Sequence, residues 1–244
     1  MLLAILAARA AVADPAIAFA GLKPGDKVAH FLPASGDLVR LFCGVVGDAG
    51  HVYAISAPRE PLADTGHAAS EPPAAEPEDV PLGEACPSLT ASVLRSRSLP
   101  APELHSDSDD PGWVYEYWSV RRPVESFVAP EPLDLIWISD RYHALHGTAF
   151  GSASPIRVGA ALLAALKPGG ILVIEDYAAK AGSGARDAVA LHRIDSEQVK
   201  KEMAAAGFEL VGESGVLHNP EDRQRTNAHL TDRADRFVLK FRRP

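Results

Sequence analysis

Two cysteines in 244 residues are too few for a disulfide framework or a thiolate metal site. Cys43 falls in an apolar helical pattern and reads as a small buried hydrophobe, and Cys86 sits in a proline-rich stretch. Long apolar runs are missing too. None approaches the ~18 residues of a membrane span, so no membrane partner is expected. Nor is there a basic surplus: the formal net charge is -8, and neutralising a nucleic-acid backbone takes a basic face. Nucleic acid is therefore not an expected partner. The arginines from Arg223 to Arg243 are interleaved with Asp222, Asp232 and Asp235, the pattern of a solvated surface, with anion binding as the lesser alternative. No Lys or Arg precedes the apolar stretch from Met1 to Ala13, so a buried or amphipathic helix and a cytoplasmic location are preferred to export by a signal peptide.

Glycine is scarce where it matters most. Lys27 to Leu32 reads as a strand and Asp37 to Val46 as a helix, the layout of nucleotide-binding α/β folds. The loop between them keeps one glycine, Gly36, beside Pro33, Ala34 and Ser35. Such loops use glycine because some positions need φ > 0 and because a missing Cβ lets backbone approach a ligand. Either this loop is shaped differently or its usual ligand binds poorly.

What is present is enough apolar sequence, 47% of the residues, for one substantial core. A single domain over 1–244 is expected, interrupted by an insertion at about 58–111 that is crowded with Pro, Ala and Glu and cannot bury enough apolar surface to fold compactly. One short helix is expected there, near Ser88 to Arg97. Asp14 and Pro15 suit the start of a helix that ends at Gly21. After the Gly47 to Gly50 turn, His51 to Ser56 reads as a strand. Gly112 to Trp118 reads as an aromatic strand, and Leu133 to Ser139 as a strand covered on both faces, which implies a parallel sheet. A helix from Pro155 to Leu166, a turn at Lys167 to Gly170 and a strand ending in Glu175-Asp176-Tyr177 follow. Then come a helix from Ser196 to Ala206, a strand from Phe208 to Glu213 and a last strand from Arg236 to Phe241.

This order, with Leu166-Lys-Pro-Gly-Gly-Ile-Leu-Val-Ile174 and Ala205-Ala-Gly-Phe-Glu-Leu210, resembles the class I S-adenosylmethionine-dependent methyltransferases over most of the chain outside the insertion. Leu191-His-Arg-Ile-Asp195, Asn219-Pro-Glu-Asp222 and Asp235 to Arg242 look like a poorly characterised bacterial group of predicted methyltransferases. The resemblance implies a Rossmann-like, seven-stranded, mostly parallel sheet with helices on both faces, and S-adenosylmethionine as cofactor. It puts His30, Pro33, Ala34, Ser35, Gly36, Ser56 and Asp140 at the cofactor site. The family carries acids at the ends of its first two strands. Here His30 and Ser56 stand at those positions, and a histidine cation would repel the cofactor's ammonium. Glu60 or Asp37 could compensate.

Ligands of open α/β sheets bind at the carboxyl ends of the strands. Ser139 to His146 brings Asp140, Tyr142, His143 and His146 there, and His143 and His146 would share a face of a helical turn. With His192, they are candidate bases; ligation of a metal by the pair is the less favoured alternative, and no metal is assigned. Glu175-Asp176-Tyr177 is the second cluster and His192-Arg193 the third, with Tyr142, Asp176, Tyr177 and Arg193 as substrate contacts. Each has a plain structural alternative: a helix cap, a solvated loop, or Arg193 pairing with Asp195 or Asp176. Gly182-Ser-Gly184 reads as a mobile lid. Tyr115, Tyr117, Trp118, Trp137 and Tyr142 suit an aromatic or apolar substrate, or simply a core. The expected function is methyl transfer to such a small molecule, with a homodimer left open. The alternative is a methyltransferase fold that has lost its cofactor and works as another enzyme through its histidines, or as a non-catalytic binding module.

Overall fold

Apolar residues alternating with short, well-capped helices produce a seven-stranded sheet in the structure, a computed structural model that describes residues 14–33, 37–56, 89–93, 124–150 and 153–244. Helix α1 (Pro15–Ala20) starts where the Asp14 carboxylate accepts the Ala16 and Ile17 N–H groups, and stops at Gly21, whose φ of 81° few other residues tolerate. Strand β1 (Lys27–Phe31) leads to α2 (Asp37–Val46), where Val39, Phe42, Cys43 and Val46 share the buried face by their i, i+3, i+4, i+7 spacing. Then come β2 (His51–Ser56), β3 (Leu89–Val93), β4 (Leu133–Ser139), α3 (Pro155–Ala165), β5 (Leu166–Tyr177), α4 (Ser196–Ala205), β6 (Glu209–Ser214) and β7 (Arg236–Arg242).

The sheet order is β3-β2-β1-β4-β5-β7-β6. All neighbours are parallel except β7, which runs antiparallel to both β5 and β6. Side chains along β4 alternate between two cores. Ile136 and Ile138 join the layer containing α3 and α4, while Leu135 and Trp137 join the layer containing α1 and α2. Covering both faces accounts for the near-continuous apolar run.

Two expectations are corrected. The segment expected as a helix near Ser88 to Arg97 contains β3, in register with β2 from Val52↔Leu89 to Ser56↔Val93. Pairing with the open edge of β2 outweighs local helix preference, and β-branched Thr90 and Val93 suit a pleated strand. Cys43 is buried as expected, but its sulfur is disulfide-bonded; Cys86, the other cysteine, lies outside the described residues. The N-terminal run, the remaining insertion and the aromatic stretch at 112–118 also lie outside them. Among the described residues, no helix is long and apolar enough to cross a membrane.

Because β7 is antiparallel, its first residue meets the carboxyl ends of the parallel strands, with Arg236 opposite Tyr177. That edge gathers the polar residues described next.

Candidate active site

His143 begins a 3-10 turn (His143–His146) just beyond β4 and is fully buried. Its position is set by Asp176, at the end of β5, which is itself fully buried. Asp176 Oδ2 accepts the His143 backbone N–H at 2.6 Å, and Oδ1 accepts His143 Nδ1 at 2.8 Å and the Tyr177 N–H at 2.8 Å. With its proton on Nδ1, the imidazole leaves Nε2 with a lone pair. That nitrogen lies 3.2 Å from His192 Nδ1. A third ring, His229, stacks on His192 with centroids 4.3 Å apart. Tyr177 lies edge-on to His229 at 5.6 Å.

Beside this trio, Arg236 donates to Glu175 Oε1 at 2.9 Å, Asp140 Oδ2 at 2.8 Å and the Tyr177 hydroxyl at 3.0 Å. Burial pushes the Glu175 carboxyl up to about 7, with repulsion from Asp140 adding to it. Burial also raises Asp140 to about 6, against the pull of Arg236. Asp140 occupies a left-handed backbone conformation with φ 54°, and its Oδ1 is buried without a hydrogen-bond partner. His229 is lowered to about 4, by desolvation and then by the charges of His192 and His143.

His30 ends fully buried, with Nε2 2.8 Å from the Ser139 hydroxyl and its ring against Phe42. Burial lowers its pKa to about 4, so at neutral pH it is uncharged. The cationic repulsion expected from the sequence is absent for that reason. Ser56 is exposed and Pro33 half-buried, while Ala34, Ser35 and Gly36 lie outside the described residues.

The sequence-derived candidates separate into two groups. His143, His192, Asp176, Tyr177 and Asp140 come together at the carboxyl edge. His146 does not: although it shares the turn with His143, its Nε2 is 3.2 Å from Glu202 Oε2, an oxygen that also accepts the Tyr142 hydroxyl at 2.6 Å. Tyr142 is therefore buried and tied to α4. Arg193 is fully buried and pairs with neither Asp195 nor Asp176. It donates to the carbonyls of Ala178 and Thr226 and pairs with Asp222 at 2.8 Å. Trp137 is core, packed on Phe42. The expected lid is pinned, since Asp195 Oδ2 accepts the Gly182 and Gly184 N–H groups while Oδ1 caps α4. Sequence reading missed His229 and Arg236. His229 follows an exposed loop with no strand to locate it, and Arg236 is placed only by the reversal of β7.

The buried titratable groups oppose one another in their pH dependence. His30, lowered from an ordinary 6.5, contributes stability that is present above pH 6.5 and lost as pH falls toward about 4, because the unfolded chain takes up the proton first. Asp140 and Glu175 act oppositely, with stability falling as pH rises from about 4 toward about 7. Replacing His30 with Gln removes only the first effect. In urea unfolding, the stability of the native chain relative to His30→Gln should rise by on the order of 3 kcal/mol between pH 4 and pH 6.5. A pH-independent difference would mean that His30 titrates normally in the fold.

No family model matches the sequence, and no curated protein does either. Solved structures do match. A SAM-dependent methyltransferase from Aquifex aeolicus is 16% identical, with a TM-score of 0.52 over 97% of this chain and 93% of that one. The [4+2]-cyclase SpnF is 16% identical, TM-score 0.53, covering 97% and 80%. The 1,6-didemethyltoxoflavin-N1-methyltransferase of Burkholderia thailandensis, solved with 1,6-didemethyltoxoflavin and S-adenosylhomocysteine, is 18% identical, TM-score 0.52, covering 98% and 78%. The fold is the Rossmann-like fold of the class I methyltransferases.

Proposed function

We propose that the chain is an S-adenosylmethionine-dependent methyltransferase acting on a small molecule with a nucleophilic oxygen or nitrogen. The observation that carries this reading is Asp140. A buried carboxylate oxygen without a partner is costly, and one at the carboxyl end of β4 is where this fold meets its ligands. An ammonium group would supply the missing partner and favour the ionised carboxylate. His30, being neutral, does not oppose a cation nearby. The bound cofactor would supply the methyl group. The Asp176-oriented Nε2 of His143 is the base that takes the acceptor's proton, and the Tyr177 and His229 rings suit an aromatic or apolar acceptor. The resemblance of Leu191 to Asp195 and Asp235 to Arg242 to the bacterial group of predicted methyltransferases supports the same reading.

A second reading, a fold that has lost the cofactor and acts through its histidines or as a binding module, is favoured by one observation: His30, next to last in β1, and Ser56, the last residue of β2, stand where the family carries acids. A [4+2]-cyclase is among the solved structures of this fold, so the fold is not confined to enzymes named for methyl transfer. Calorimetric titration with S-adenosylmethionine separates the two. One site per chain is expected, weakened about tenfold or more in Asp140→Asn by loss of a charge-assisted hydrogen bond. Asn suits the left-handed backbone, so the substitution leaves the loop undisturbed. No binding at millimolar cofactor would leave only the second reading.

A further inference from the structure

We infer that His143, His192 and His229 form a binding site for one divalent transition-metal ion of the zinc type. One ring nitrogen from each of the three lies within 4.8 Å of the other two. The separation of 3.2 Å between His143 Nε2 and His192 Nδ1 is close to the spacing of about 3.3 Å that two nitrogens adopt at zinc–nitrogen distances of ~2.0–2.1 Å in a tetrahedral site. His229 is the exposed member, and rotation of its side chain would close the remaining gap.

The surroundings are those of a built site. Asp176 holds the Nδ1 proton of His143, so the opposite nitrogen is the ligating one, and carboxylate–histidine–metal chains are the usual way a protein fixes a ligand's tautomer and orientation. Buried Arg193, next to His192 in the chain, joins the Ala178, Thr226 and Asp222 segments through its guanidinium. The Ala228 N–H donates to the Leu191 carbonyl at 2.9 Å, which sets His229 beside His192. The Asn227 side chain accepts the His229 N–H. His192 itself has φ 52°, a sterically disfavoured conformation for a residue with a Cβ and one concentrated at functional sites. Three segments remote in sequence are thus tied together at the rings.

Imidazoles alone, with no thiolate and no carboxylate in the set, suit zinc, cobalt, nickel or copper rather than magnesium or calcium, which take oxygen ligands. Three protein ligands leave a coordination position open, as in catalytic and not structural zinc sites. That position would take an oxygen or nitrogen lone pair of a substrate held beside the Tyr177 ring, which lies against His143 and His229. This inference is independent of the methyl-transfer reading, with one consequence for it. His143 Nε2 cannot be both ligand and base, so with an ion bound the acceptor is acidified by the metal instead.

The test uses the full chain without a polyhistidine tag, stripped by chelator and titrated with Zn2+ by calorimetry and with Co2+ by visible absorption, in the absence of S-adenosylmethionine. One ion per chain is expected, with the d–d bands of four- or five-coordinate cobalt bound to nitrogen. His229→Ala, which removes an exposed side chain, and His192→Ala should each weaken binding by about 100-fold with circular dichroism unchanged, and Asp176→Asn by about 10- to 100-fold. His146→Ala, on the same turn as His143 but paired with Glu202, should bind like the native chain. Absence of stoichiometric binding by the native chain, or binding retained by His192→Ala and His229→Ala, would overturn the site. Neither result depends on whether the cofactor binds.

Discussion

Arg193→Ala is expected to lower the unfolding free energy by roughly 3–5 kcal/mol, read from the urea midpoint at constant slope. The guanidinium is fully buried and is used in three directions: to Asp222 at 2.8 Å, to the Thr226 carbonyl at 2.9 Å and to the Ala178 carbonyl at 3.0 Å. Truncation strands an almost buried carboxylate and two carbonyls and leaves a void the size of an arginine. Asp222 keeps only its bonds from the Asp235 and Gln224 backbone N–H groups. Arg193→Met fills much of the void without restoring any donor, and should recover less than half of the loss. Arg193→Lys should also fail, because one ammonium on a flexible stem cannot reproduce a planar fork with donors in three directions. A cost below about 1 kcal/mol for Arg193→Ala would show that water reaches the stranded groups, and that Arg193 does not organise the segments carrying His192 and His229.

The same residue shows how far sequence carries. The Leu191 to Asp195 motif was visible, and so was the choice for Arg193 between a ligand contact and a structural pair, but its three partners come from segments that no local pattern joins. Elements with a clear burial pattern or cap were legible nearly to the residue: α2 by its i, i+3, i+4, i+7 face, β4 by its near-continuous apolar run, and α1 by the Asp14 cap and Gly21 stop. β3 was not, because an edge strand is specified by the neighbour it pairs with as much as by its own residues. In the site, Asp140, His143, Asp176, Tyr177 and His192 were legible because the carboxyl ends of parallel strands are where polar residues of this fold converge. His146 shows the limit of spacing arguments. Two histidines on one turn can serve different networks, and the acceptor that takes His146 away lies on α4. The pK of His30 was likewise beyond reach, since its neutrality comes from burial among Phe42 and Trp137 that only the assembled sheet reveals.

Asp176→Asn should have the largest functional effect of any isosteric change in the chain. All three hydrogen bonds at Asp176 are donations to it: from the His143 backbone N–H on one oxygen, and from His143 Nδ1 and the Tyr177 N–H on the other. An asparagine offers one acceptor oxygen, so its NH2 must face a donor in either orientation. If the NH2 meets the His143 backbone N–H, the turn is pushed from the end of β5 at a cost of about 1–3 kcal/mol for an unsatisfied buried pair. Placed instead toward the ring, it drives the imidazole to the other tautomer, with the proton on Nε2. That nitrogen can then neither accept a proton nor ligate an ion. Turnover of a methyl acceptor should fall by about 10²- to 10⁴-fold, the usual contribution of a positioned base. The nitrogen chemical shifts of His143 should exchange their assignment between Nδ1 and Nε2 in the variant, a change that mere loosening of the turn would not produce. Retention of the native tautomer together with native turnover would remove His143 from the chemistry altogether.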